Sequence, residues 1–223
     1  MLLEYRSKML VVIKVGGSLY DYEHLREVLA SIRSWFQPGK AYSDGSPLLI
    51  PGGGATADVI RDWQKQHHIE EEAAHWLACE SLELNARLIQ SLLPESCLVD
   101  QLEQSLEAWR EGLFPVLRTS RALQLAESSL KDGLQPEPLP HHWDVTSDSI
   151  AAWFACRWQA RYLLLCKSIP VPDKVPVLEA SRSGIVDPYF PGLAGYIPQI
   201  DWCYARQLPC HSTPWLQQGY PVS

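Results

Sequence analysis

Basic runs, paired cysteines and long apolar stretches are all missing from this sequence. Without clustered Lys and Arg, and with a formal net charge of -7, the chain offers nothing suited to a phosphate backbone, so no nucleic-acid partner is expected. No apolar segment approaches the ~20 residues that cross a bilayer, so no membrane association is expected. Glu4, Arg6 and Lys8 interrupt what would be the apolar part of a leader, so no signal peptide is expected. The six cysteines (79, 97, 156, 166, 203 and 210) form no Cys-x-x-Cys pair and lie mostly in apolar segments. That usage fits reduced core residues of a cytoplasmic protein and excludes a zinc ribbon. His141-His142 has no third ligand at a recognisable spacing, so the chain itself is expected to hold no metal.

What is present is a chain of 223 residues, 46% hydrophobic and 20% charged, enough for one globular domain with a full core. It has no internal repeat and no linker long enough to separate two domains. Its most informative stretch is Val11-Val12-Ile13-Lys14-Val15-Gly16-Gly17-Ser18, an apolar run carrying one lysine and opening onto two glycines. A second unit, Leu48-Leu49-Ile50-Pro51-Gly52-Gly53-Gly54, repeats the strand-to-glycine design. Glycines let backbone N–H groups approach an anion with no Cβ in the way. Two such turns, one preceded by a lysine, point to a site that grips a polyphosphate. A lysine inside an apolar strand is costly to bury unpaired, which favours a working role over a solvated turn.

Periodicity organises the rest. Strands are expected at Leu10 to Val15, Pro47 to Ile50, Ser96 to Val99, Phe114 to Leu117 and Tyr162 to Cys166. Helices are expected at Tyr22 to Phe36, Thr56 to His67, Glu71 to Leu93, Glu103 to Arg110 and Ser149 to Trp158. The proline-rich stretch Lys131 to Pro140 reads as irregular. The last forty or so residues also read as irregular, apart from a strand near Gln207 to His211. This alternation of strand and helix implies an α/β fold, a three-layer α/β/α sandwich on a mainly parallel sheet.

Two further patterns carry chemistry. Gly52-Gly53-Gly54-Ala55-Thr56-Ala57-Asp58 opens a helix, whose N-terminal amides suit an anion. Gly52, Gly54 and Ala57 also satisfy a dinucleotide fingerprint, which makes a nicotinamide oxidoreductase one rival reading. That fingerprint belongs at the first strand with an acid closing the second, whereas Glu70 to Glu72 begin a helix. The other pattern is Asp144-Val145-Thr146-Ser147-Asp148-Ser149. Thr146 or Ser147 can cap the following helix and Asp148 suits its dipole, yet capping leaves several of these polar residues unexplained. Asp148 is equally suited to orienting an ammonium such as Lys14.

In their order, Ile13 to Leu19, Ile50 to Gly54 and Thr146 to Ala151 resemble the three motifs of the amino acid kinase superfamily. The resemblance runs from about Met9 to Lys174. It implies a phosphotransferase in which ATP, carrying Mg2+ on its phosphates, gives its γ-phosphoryl group to a carboxylate or phosphate on a small-molecule acceptor. It implies that Lys14 and Asp148 are catalytic and that Gly16, Gly17, Ser18 and Lys167 bind phosphate or ATP. Gly52, Gly53, Gly54, Asp144, Thr146 and Ser147 would then face the acceptor. The acceptor-binding part would span about 1–140 and a shortened nucleotide-binding part about 141–223. A homo-oligomer is expected, with the long Glu71 to Leu93 helix as one candidate surface. Ala74 to Ala78, His142 to Ala151 and Gly184 to Phe190 resemble the branch that phosphorylates an aminomethylfuran methyl phosphate in methanofuran-type cofactor synthesis. There Asp144 would meet an amine and Trp76 or Trp143 a flat ring. The chain departs from the family after Leu163-Leu164-Leu165, where Cys166 to Lys174 replaces the usual Thr-Asp-Val-Asp-Gly. Lys167 and Lys174 are the candidates for a second catalytic lysine. That departure motivates the alternative of a non-catalytic nucleotide-binding or storage protein on the same fold.

Overall fold

The computed structural model describes residues 9–129, 136–172 and 175–217. Lys174 and residues 131–135 of the proline-rich stretch lie outside that set.

A single seven-stranded sheet forms the middle layer. Its strands are β1 (Met9–Val15), β2 (Gly45–Pro51), β3 (Ser96–Val99), β4 (Phe114–Leu117), β5 (Tyr162–Lys167), β6 (Gln199–Tyr204) and β7 (Ser212–Gln217). They lie in the order β3-β4-β2-β1-β5-β6-β7, and every pairing is parallel except β6 with β7. This is the expected three-layer α/β/α architecture. Strand β1 sits at the centre because it is apolar on both faces, as a strand covered by helices on each side must be. Its residues alternate between two cores: Leu10 and Val12 pack with one cluster, Val11, Ile13 and Val15 with the other. Lys14 therefore falls on the Leu10–Val12 face, at the carboxyl end of the strand, level with Ile50 and Leu165.

The helices are α1 (Leu25–Ser34), α2 (Ala55–His67), α3 (Glu71–Leu92), α4 (Leu102–Arg110), α5 (Thr119–Ser128), α6 (Ser147–Arg157), α7 (Val177–Arg182) and α8 (Phe190–Ala194). Helix α1 covers the Val11–Val15 face through Leu25, Val28, Leu29 and Ile32. Helix α6 covers the opposite face and is buried almost all round, which accounts for its run of Ile150, Ala151, Ala152, Trp153, Phe154 and Ala155.

The carboxyl-terminal reading needs correction. Gln207 to His211 is not a strand but the turn between β6 and β7. In β6 the buried acid Asp201 interrupts the apolar pattern that marks a strand. Its carboxylate is satisfied by the Tyr42 hydroxyl at 2.5 Å and by Gln199 Nε2 at 2.7 Å. Strand β7 is a half-exposed edge, where Pro214 is tolerated and the pattern is faint. Helices α5, α7 and α8 were also not expected; the last two span only six and five residues, too short to show a period.

Candidate active site

The carboxyl ends of β1, β2 and β5 meet where the two glycine turns, the start of α6 and one end of β5 converge. Gly17 and Gly54 touch backbone to backbone: a Cβ on Gly17 would lie 2.1 Å from Gly54 N and 2.5 Å from Gly54 Cα. A Cβ on Gly52 would lie 2.5 Å from Gly17 N. Gly54 itself holds φ 59°, ψ -149°, a conformation that a residue with a Cβ avoids. The N–H groups of Gly17, Gly53 and Gly54 donate to no other protein group among the described residues. Two turns thus present free amides from one surface, the arrangement that binds phosphate oxygens. Gly16 does not join them, because its N–H is spent on Cys166 O at 2.8 Å.

Two residues that sequence reasoning passed over hold the second turn. The Asn85 amide lies 2.7 Å from both Gly52 O and Gly53 O, and the Tyr20 hydroxyl accepts from Gly52 N–H at 3.0 Å. Asn85 is a polar position on the buried face of α3, which is the one signal that pointed to it.

Beside the turns lies a buried charge cluster. Lys14 Nζ is 2.8 Å from Asp148 Oδ1, and Lys167 Nζ is 2.5 Å from Asp148 Oδ2. Lys167 also donates to Ile185 O at 2.9 Å. Lys14 is 4% exposed and Asp148 5%, so these charges meet almost without water between them. Burial alone would push the Asp148 carboxyl up; the two ammonium groups outweigh it and hold the carboxyl at about 2. Burial pulls Lys167 down to about 8, with Asp148 opposing and Lys14 adding to the fall. Lys167 therefore shares Asp148 with Lys14, an arrangement that only the side-by-side placement of β1, β5 and α6 reveals.

Against the glycine turns opens a cavity of about 600 Å³ whose lining includes Gly17, Ser18, Gly53, Gly54, Thr146 and Ser147 but not the buried Lys14, Asp148 or Lys167. Its other walls include Arg61, Glu71, His75, Cys79, Leu82 and Trp143. The Trp143 indole donates to Gln64 Oε1 at 2.5 Å and its ring lies 4.6 Å under the Arg61 guanidinium, which fixes the ring plane. His75 stacks on His141 at 4.6 Å; burial, then the neighbouring His141 and His142, lower its pKa to about 4. Asp144 is not brought into this set: it is exposed, faces His142, and does not line the cavity. Trp76 also lies away from the lining, packed edge-on to His141. Ser18 lines the cavity, its hydroxyl 2.8 Å from that of Ser168.

The capping reading of Thr146 and Ser147 also changes. Thr146 occupies the N-cap position of α6, yet no side chain of its own caps the helix. The carboxylate of Asp187 does so instead, accepting from the N–H groups of Thr146 at 3.0 Å and Ser149 at 2.9 Å.

A mainly parallel α/β/α sandwich thus sets free glycine amides beside a lysine–aspartate–lysine cluster, donors of the kind that suit an anionic ligand. The family model described as the amino acid kinase family matches residues 9–179, and the chain belongs to that family. Over 167 residues it is 25% identical to the (5-(aminomethyl)furan-3-yl)methyl phosphate kinase of Methanocaldococcus jannaschii, covering 74% of this chain and 69% of that one. Among solved structures it resembles the UMP kinase of Bacillus anthracis, with a TM-score of 0.59 and 12% identity over 90% of this chain and 89% of that one. The uridylate kinase of Archaeoglobus fulgidus gives a TM-score of 0.48 and 19% identity over 72% of this chain. The chain spans 64% of that protein, just under two thirds of its length.

Proposed function

We propose that this protein is an ATP-dependent small-molecule kinase that phosphorylates a phosphate monoester. The observation that carries the reading is the buried Lys14–Asp148–Lys167 cluster beside the free amides of Gly17, Gly53 and Gly54. In the reaction, an oxygen of the acceptor phosphate attacks the γ-phosphorus of ATP as the bond to the β-bridging oxygen breaks, and ADP leaves. The acceptor is already an anion, so no general base is required. Charge builds on the transferring group and the leaving oxygen, and Lys14 and Lys167 neutralise it while the glycine amides orient the phosphates. Asp148 keeps both ammonium groups aimed, and its own low pKa keeps it ionised throughout.

Acceptor binding falls to the part up to about residue 140 with the start of α6, and nucleotide binding to the part from about 141. On the Trp202 side of Lys167, a hollow of about 290 Å³ lined by Pro170, Val171, Trp202, Tyr204 and Pro209 suits the nucleotide. Among the described residues no group of three or more His, Cys, Asp and Glu side chains is arranged to hold a metal. Magnesium would come with the nucleotide phosphates and would supply charge neutralisation there.

The large cavity suits an acceptor with a phosphate at the glycine end and a flat ring against Trp143 and His75, the shape of the substrate named for the Methanocaldococcus jannaschii relative. With Asp144 outside the lining, a protonated amine on the acceptor falls to Asp58 or Glu71. The test is a mass-spectrometric screen of ATP with candidate phosphates and carboxylates. A product heavier by one phosphoryl group from an aminomethyl-aryl phosphate is expected. ATP bound with no transfer to any acceptor would instead establish the non-catalytic binder.

A homo-oligomer forms through α3. Leu77, Leu84 and Leu88 line one exposed face of this helix, with Glu80 and Arg87 on either side of Leu84. Two copies crossing antiparallel at Leu84 would bury the leucines and set Glu80 of each against Arg87 of the other, as a two-fold interface requires. No helix among the described residues is long and apolar enough to cross a membrane. None of the six cysteines is disulfide-bonded, which suits the reducing cytoplasm.

A further inference from the structure

One buried carboxylate takes no part in the transfer just described. Asp187, 6% exposed, accepts five hydrogen bonds. Its Oδ2 takes the Thr146 N–H at 3.0 Å, the Thr146 hydroxyl at 2.8 Å and the Ser149 N–H at 2.9 Å. Its Oδ1 takes the Phe190 N–H at 3.0 Å and the Ser149 hydroxyl. All the donors from the α6 turn flank Asp148, at positions 146 and 149. The same segment reaches the other side of the cluster, where Ile185 O accepts from Lys167 Nζ at 2.9 Å. Residues 185–187 therefore hold Lys167 directly and, through Thr146 and Ser149, the turn that carries Asp148.

A neutral Ser, Thr or Asn caps a helix as well as an aspartate does. Burying a carboxylate for that purpose alone is expensive, and burial together with the nearby Asp148 charge pushes the Asp187 carboxyl up. The charge has a second use. Lys14 and Lys167 bring two positive charges into a nearly dry site, and Asp148 supplies one negative charge. Asp187 brings the cluster to neutrality, the condition under which buried ions are tolerated.

We propose that Asp187 is a positioning residue: it clamps the turn on either side of Asp148, so that this one carboxylate meets Lys14 and Lys167 together. The proposal rests on the kinase reading for its kinetic consequences but not for its structural ones. The groups facing Lys167 are Asp148 from α6, Lys14 from β1, Asp187 and Ile185 O from the 185–187 segment, and the Trp202 ring from β6 at 5.9 Å.

The experiment uses the full chain with Asp187→Asn, and Ser149→Ala as a milder variant that removes one donor. The titration of the lysine ammonium groups is followed by NMR on lysine-labelled protein. Lys167 in Asp187→Asn is expected to lose its proton at a pH about one unit lower, because one facing carboxylate is gone and the other is less well placed. The alkaline limb of kcat is expected to move with it, kcat to fall about tenfold or more, and the acceptor KM to change less than about threefold. Ser149→Ala is expected to move the same quantities in the same direction by less, and it decides the question should Asp187→Asn not fold. A folded Asp187→Asn with the wild-type Lys167 titration overturns the proposal. If wild-type protein phosphorylates no acceptor, the kinase reading fails while the titration still decides this one.

Discussion

Gly17 and Gly54 are joined by contact between their main chains, so that neither position has room for a side chain. The contact locks the two phosphate turns into one surface. Gly17→Ala would drive a Cβ to 2.1 Å from Gly54 N, and no flexible side chain is there to yield. Overpacking costs about 1–3 kcal/mol in well-packed sites. Gly17→Ala is expected to lower the melting temperature by several degrees and to abolish turnover, whereas Gly192→Ala, which meets nothing within 4 Å, is expected to do neither. Differential scanning calorimetry with an ADP-release assay checks both; equal melting temperatures in the two variants would refute the contact.

Lys14→Met removes one ammonium and leaves Asp148 paired with Lys167. Removing a single donor to developing charge typically costs ~10²–10³ in rate, and Lys14→Met is expected to lose at least that much. Its melting temperature is expected to fall by less than that of Asp148→Asn, because Lys167 stays paired with Asp148 although this buried negative charge loses one of its two partners. Turnover within tenfold of wild type would remove Lys14 from the chemistry.

Asp148→Asn is expected to behave differently, because it leaves two buried ammonium groups with no carboxylate between them. Stripping one partner from a buried pair costs about 3–5 kcal/mol. Chemical denaturation is expected to show a loss of that order together with lost activity. A variant as stable as wild type would mean that the cluster carries less charge than its geometry implies.

The pKa shifts set two pH windows. Asp148 is depressed from 3.8 to about 2 in the folded chain, so its contribution to stability is whole above about 4 and is lost as pH falls through 2. Lys167 is depressed from 10.5 to about 8, so the folded chain releases this proton first. Stability from this group rises between about 8 and 10.5, while kcat, which needs the ammonium, falls above about 8. Denaturation midpoints and rate profiles across pH measure the two windows separately. A kcat that stays flat to pH 10 would show that Lys167 does not act as a cation in turnover.

Leu84→Glu places two like charges at the crossing point of the proposed α3 pair and is expected to convert a dimer into monomer at micromolar concentration. Sedimentation equilibrium decides this; a wild-type chain that is itself monomeric counts against the interface.

The architecture, and the parts of the site that lie within single motifs, are legible in the order of residues. Strand β1 is apolar at every position but Lys14 because it is covered on both faces, and that periodicity is visible without coordinates. The glycine turns are legible for the same reason: only glycine tolerates such close approach. Strand β6 was illegible because its buried Asp201 is stabilised by Tyr42, 159 positions away, a partner that no window of sequence contains. The tertiary structure alone decided that Lys167 shares Asp148 with Lys14, that Asp187 caps α6 from 38 to 41 residues downstream, and that Asp144 stays outside the cavity. Each of these depends on which strand ends lie side by side in the sheet. That order is set by the burial of two whole faces, and no local pattern of residue types encodes it.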